Sequence, residues 1–180
     1  EVDIEKENAQ ITKAYKNLLK VSYTSLSTDD KKLIRKAFEV AVDAHKTQRR
    51  KSGEAYIFHP IAVARIVASE IGLDATSIAA ALLHDVVEDS EDYTVKDIEN
   101  VFGQTVARIV DGLTKISSLS KEKDMDVSLQ AENFRKMLLT LIDDVRGIII
   151  KIADRLHNMQ AMDSMRPDKK EKIASETLYI

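Results

Sequence analysis

This sequence of 180 residues has no cysteine, which excludes disulfides and thiolate chemistry and suits a reducing cytoplasm, the expected location. It has two prolines and five glycines, and only 5% of its residues are aromatic. Scarce helix breakers and few bulky β-formers favour an all-α chain over a sheet. No apolar run approaches the ~20 residues of a membrane span; IIIKIA at 148–153 is far too short. No membrane association is therefore expected. The net charge of −3 argues against direct nucleic-acid binding. A polyanionic ligand would need a local basic patch together with metal charge. The chain starts at Glu1 without a signal-like segment and ends on the apolar SETLYI without a stop signal, so a fragment of a longer protein is expected. The 44% hydrophobic content is enough for one domain with a real core.

Against that background HDVVED at 84–89 stands out, with His84, Asp85, Glu88 and Asp89 in one short stretch. On a continuous helix His84 and Glu88 share one stripe, and Asp85 and Asp89 share the adjoining one. The segment follows IAAALL directly, and acidic groups at a helix C-terminus oppose its dipole. Such charges repel one another unless a cation neutralises them. A solvated acidic helix end would explain Asp89 and Glu91, but not His84 and Asp85, which continue the apolar run. IADRLHNM at 152–159 places Asp154 and Asn158 four apart among Ile, Ala, Leu and Met. An aspartate in that setting is costly unless paired or bound to a metal. His59 precedes Pro60 at the expected start of another helix. His59, His84, Asp85 and Asp154 together form a nitrogen-and-oxygen donor set. It suits a borderline or hard divalent ion, with positions left for water and substrate.

The helical pattern predicts a first helix over 4–20. Thr28, followed by two aspartates, is expected to cap a second running to about Lys46, with Leu33, Ile34, Phe38 and Val42 as its apolar stripe. TQRRKSGEAYI at 47–57 reads as a basic, glycine-containing loop. Pro60 is expected at the first position of a third helix ended by Gly72. Asp74 is expected to cap a fourth that carries HDVVED at its C-terminal end. Thr94 and Asp97 resemble a capping box for a short helix ending at Gly103. Further helices are expected over 104–116, 128–142 and 144–162 and after Pro167, with a mobile loop at 117–127. There is no internal repeat and no convincing strand.

With those residues in view, the chain resembles the HD-superfamily hydrolase domain of the RelA/SpoT-type alarmone enzymes, from about Lys36 to the C-terminus. Five blocks in order carry the resemblance: RKSGEAYIFHP (50–60), HDVVED (84–89), FGQTVARIVDGLTKIS (102–117), AENFRKML (131–138) and KIADRLHNM (151–159). The resemblance implies an HD-domain helical bundle of about eight to ten helices. Residues 1–180 would be one domain, 1–27 being an N-terminal helical extension, with synthetase and regulatory domains adjoining in the full-length protein. It implies a manganese ion on His59, His84, Asp85 and Asp154, with Glu88 and Asp89 as the water-activating pair. Arg50, Lys51, Ser52 and Tyr56 would pack on the guanine nucleotide, and Asn158 would lie near the ribose. The implied reaction removes the 3′-pyrophosphate of ppGpp or pppGpp, giving GDP or GTP plus pyrophosphate and ending the stringent-response signal. The chain departs from the family at Ala55, usually proline, and at Gln160 and Ala161, where many relatives carry arginine and threonine. These changes bear on the nucleotide contacts, not the donor set.

Several of these residues also have plainer readings. His59 could cap a helix, and His45 is expected to interact with the carbonyls ending its helix, outside the site. His157 is read as a packing neighbour of the donor set rather than a ligand. Arg49 through Lys51 could be an ordinary solvated loop. Lys115, Lys151 and Arg155 are candidates for countering phosphates, although Lys115 and Lys151 could be plain surface charges. Met159, Met162 and Met165 read as core or pocket wall, and Asp143 and Asp144 as a helix junction and cap. Two other functions compete: an HD phosphohydrolase acting on another nucleotide, and a non-enzymatic nucleotide-sensing regulatory domain.

Overall fold

Caps and the rarity of breakers set the architecture. The structure is a computed structural model that describes residues 2–22, 25–121, 131, 132, 135 and 144–161. Among these there is no strand; the sole β pairing is an isolated antiparallel bridge between Arg49 and Ala55. Helix α1 (Ile4–Lys20) starts where the Asp3 carboxylate accepts from the Lys6 N–H at 3.1 Å. Helix α2 spans Thr28–Ala44 and α3 spans Phe58–Arg65, the latter continuing as a wider π-helical stretch, Ile66–Ile71. Helix α4 is Ala75–Leu83 and α5 the single turn Val86–Asp89. Helix α6 is Val95–Phe102, α7 is Gln104–Lys121 and α8 is Val145–Gln160. Among the described residues there are seven helices of two turns or more plus one single turn, against the expected eight to ten for the chain. The all-α expectation holds.

Most boundaries follow the expected signals. Asp74 accepts from the Ser77 N–H, Thr94 and Asp97 form a reciprocal capping box, and Asp144 accepts from the Arg146 N–H. Gly72 closes the π-helical stretch at φ +76°, a left-handed conformation open to glycine at little cost.

Four boundaries differ from expectation. The cap of α2 is Ser27, not Thr28, because the Ser27 hydroxyl and Asp30 carboxylate satisfy each other's backbone N–H; the helix ends at Ala44, before Lys46. Helix α3 begins at Phe58, so Pro60 is its third residue; a proline is tolerated there because the first N–H groups of a helix have no intrahelical partner. Helix α7 runs on through Ser117 to Lys121, since SSLSK contains no glycine or proline to stop it. The remainder of the expected loop, 122–127, lies outside the described residues, as do most of the helix expected over 128–142 and all of the one after Pro167.

Helix α4 is the centre of the molecule, packed by α2, α3, α7 and α8. From Ser77 to Leu83 no residue exposes more than 1% of its surface. Its alanines 79–81, with Ala37 and Ala41 of α2 also fully buried, allow the helix backbones to approach closely. Truncating Leu82 to alanine would leave a cavity and cost about 2–5 kcal/mol. Helix α1 attaches through Tyr15, whose ring stacks on Phe38 with centroids 4.2 Å apart. Among the described residues, no helix is long and apolar enough to cross a membrane.

Candidate metal centre

The donor set assembles from three helices that converge on the C-terminal end of α4. His59 comes from the first turn of α3, His84 from the C-cap of α4, Asp85 from the next residue and Asp154 from α8. One ligand atom from each lies within 4.8 Å of all the others. His59 Nε2 is 2.7 Å from Asp154 Oδ1 and 3.9 Å from Asp85 Oδ2; His84 Nε2 is 3.0 Å from Asp85 Oδ2 and 3.4 Å from Asp154 Oδ1. Donors that share one ion at bonds of about 2.0–2.2 Å stand roughly 3 Å from one another, so this spacing fits.

HDVVED is not one continuous helix. Helix α4 stops at Leu83, His84 and Asp85 turn, and α5 starts anew at Val86. The expected stacking of i and i+4 pairs on a single helix is therefore corrected. The turn swings Asp85 back beside His84, while Glu88 and Asp89 sit one turn further on.

Electrostatics supports a cation at this point. His84 Nδ1 lies 2.6 Å from the Ala81 carbonyl, an acceptor, so Nδ1 carries the hydrogen. Nε2 is then the nitrogen open to an ion, buried and facing two carboxylates at 3.0 and 3.4 Å. Two aspartates and two neutral imidazoles carry a net −2, the charge a divalent ion cancels. Without one, burial would depress the His84 pKa, but Asp85 and Asp154 overcome it and hold the ring well above the ordinary histidine value. Burial pushes Asp154 up, yet hydrogen bonds from His59 and His84 and the charges of His84 and Lys151 hold it well below the usual range. Asp85 is lowered likewise: burial is outweighed by His84. Burial lowers His59 and takes His157 down to about 4.

The remaining sequence-selected residues surround this cluster. The Tyr56 hydroxyl donates to Asp85 Oδ2 at 2.6 Å, and burial followed by the Asp85 charge pushes the phenol pKa up. Arg50 donates to Asn158 Oδ1 at 3.1 Å and lies 5.8 Å from the Tyr56 ring centroid. Lys51 and Ser52 are exposed on the loop, and Glu88 is half-buried. Asp89 accepts from Gln48 Nε2 at 3.1 Å; burial, then the Asp85 charge, raises its pKa. His157 Nδ1 meets His59 Nδ1 at 2.7 Å, as expected of a neighbour that orients a ligand. His59 lies within α3, so it does not cap that helix.

Other readings need revision. Lys151 is buried, its ammonium 3.4 Å from Asp154, rather than a surface charge or an open phosphate contact. Lys115 pairs with Asp111 at 2.8 Å. Arg49 binds both oxygens of Glu7 in α1 and the Gly53 carbonyl, which ties the loop down. Met159 is 40% exposed, which removes the core half of its core-or-pocket-wall reading; Met162, Met165 and Asp143 lie outside the described residues. Gln48 was not singled out by sequence at all.

An HD domain family model matches residues 37–180. The chain is 49% identical over 166 residues to the bifunctional (p)ppGpp synthase/hydrolase SpoT of Escherichia coli, covering 92% of this chain and 23% of that protein. It is 48% identical over 166 residues to a guanosine-3′,5′-bis(diphosphate) 3′-pyrophosphohydrolase of Vibrio cholerae, with the same coverage, 92% and 23%. A solved structure of a metazoan ortholog of SpoT, which hydrolyses ppGpp and plays a role in starvation responses, superposes with a TM-score of 0.66 at 29% identity. That superposition covers 86% of this chain and 85% of the other. The chain thus spans about a quarter of the length of the curated relatives it matches. The matched span includes every member of the donor set, and on that ground the chain belongs to the HD domain family.

Proposed function

We propose that this chain is a metal-dependent pyrophosphohydrolase that removes the 3′-pyrophosphate of ppGpp or pppGpp, giving GDP or GTP plus pyrophosphate. Manganese is its ion, and it acts in the cytoplasm as one domain, 1–180, of a longer bifunctional hydrolase and synthetase. The observation that carries this reading is the convergence of His59, His84, Asp85 and Asp154 within 4.8 Å, rimmed by the Arg50–Asn158 pair. The names of the relatives above supply the substrate class.

A divalent ion held by these four residues supplies Lewis-acid charge to phosphoryl oxygens and makes water more acidic. The side chains do the rest. Hydrolysis transfers a water oxygen to the phosphorus attached at the ribose 3′ oxygen; the P–O3′ bond breaks, the 3′ oxygen gains a proton and pyrophosphate departs. Glu88 and Asp89, one turn beyond the donors, take the proton from water. Tyr56 holds the Asp85 carboxylate in place through its hydroxyl. Arg50, with a planar guanidinium fixed by Asn158, stacks on the guanine, and Lys51 and Ser52 meet the phosphates.

Product analysis tests this directly. The purified chain with manganese and ppGpp should release GDP and pyrophosphate in equal amounts, and excess chelator should stop it. Release of orthophosphate instead, turnover in chelator, or faster hydrolysis of another nucleotide in a panel would overturn the reading.

A further inference from the structure

A buried histidine and a loop glutamine lie behind Asp89, outside the donor set. His45 follows α2 and is 2% exposed. Its Nδ1 is 2.8 Å from Gln48 Oε1, and Gln48 Nε2 donates to Asp89 Oδ2 at 3.1 Å. The direction of this chain is dictated. A carboxylate only accepts, so the amide must turn its NH₂ towards Asp89 and its oxygen towards His45. His45 must then carry its hydrogen on Nδ1. In the neutral ring Nε2 is then a buried lone pair, with no hydrogen-bond partner among the described residues.

The backbone of Gln48 is as constrained as its side chain. Its N–H donates to the His45 carbonyl and its carbonyl accepts from the Tyr56 N–H, both at 3.0 Å. The His45 ring lies against the Tyr56 ring, centroids 4.8 Å apart. One residue thus joins the loop that carries Tyr56, and through it Asp85, to the turn that carries Asp89, 41 positions away. This is the geometry of a catalytic group oriented by a second group and a third.

We infer that Gln48, oriented by His45, is a positioning residue that fixes the Asp89 carboxylate for the proposed hydrolysis. The inference rests on that reading for its kinetic consequence, but not for its geometry, and the two are tested apart.

The geometric test is ¹⁵N NMR of the metal-free whole chain. Neutral His45 should show a hydrogen on Nδ1 and a bare Nε2, the less common form of the ring. Gln48→Leu should release it towards the usual Nε2–H form, and Asp89→Asn should shift the Gln48 side-chain amide resonances. An Nε2–H ring in the parent protein, or Gln48 resonances indifferent to Asp89→Asn, would overturn the chain of contacts. The kinetic test uses the manganese-loaded chain and ppGpp. Gln48→Leu should lower kcat roughly 10–100-fold, the range for groups that orient functional residues, with KM and manganese affinity unchanged. Gln48→Glu, which sets a carboxylate against Asp89, should do no better. His45→Phe keeps the ring packing on Tyr56 and should lose less, and nothing further once Gln48→Leu is present. An effect on KM alone, or additive losses in the double variant, would overturn the positioning role. A parent chain inert towards ppGpp would sink the hydrolase reading, while the NMR result would still decide the geometry.

Discussion

Two segments meet at the donor set, and they are held in opposite ways. Helix α4 and the turn after it are fixed by burial: Ser77 to Leu83 expose at most 1% of their surface, and His84 only 4%. The loop at 47–57 is fixed by individual polar contacts. Of residues 49–54 all but Arg50 are exposed. That stretch is secured by Arg49 on Glu7, Arg50 on Asn158 and the Arg49–Ala55 bridge. The difference separates two tasks. Under the proposed function, ion donors need placement that the whole core enforces, whereas a nucleotide would enter and leave past a segment that a few contacts hold.

The largest effect expected from breaking this comparison falls on the buried side. Asp154→Ala or His84→Ala should remove bound ion and all measurable turnover; elemental analysis after dialysis checks the first and product assay the second. Next comes Glu88→Gln, expected to retain ion and nucleotide while losing turnover by about 10²–10⁴-fold. Loss of the ion in that variant would make Glu88 a donor. On the loop side, Arg50→Ala should weaken nucleotide binding roughly tenfold, within the ~0.5–2 kcal/mol of a cation stacked on a π face, and leave ion affinity untouched. Arg50→Lys should recover little of this, because the ammonium lacks the planar surface; a titration showing parental affinity would withdraw the stacking role. The smallest effect belongs to Arg49→Ala. Exposed ion pairs contribute little, so KM should rise no more than a few-fold with kcat unchanged, and a collapse of kcat would show that the loop is anchored more tightly than its contacts suggest.

Most of the donor set was legible because His84, Asp85 and Asp154 are expensive where they stand, whereas His59 alone could pass for a helix cap. A carboxylate inside IADRLHNM or a histidine ending IAAALL has no inexpensive structural explanation, and the helices around them were marked by Asp74, Gly72, Thr94 and Gly103. The break at His84 and Asp85 was not legible, since the segment contains neither glycine nor proline and its periodicity continues through the turn. Gln48 was missed for a related reason. A glutamine in a polar loop costs nothing by itself, and its partner is 41 residues away. Lys151 was misread because a lysine is ordinarily placed at the surface; only the packing of α8 shows it alongside Asp154. Sequence signals report what is costly locally, and inexpensive residues acquire meaning only through distant partners.

The burial of α4 on all sides has a consequence for how this chain tolerates change. A helix with no exposed face from Ser77 to Leu83 offers no neutral position, and its last residue abuts His84. Any substitution there that shifts the backbone will displace His84 and Asp85 as well. In a saturation library scored separately for soluble expression and for turnover, the two maps should coincide over 75–83. Over 47–57 they should part, with many variants that express normally and few that work.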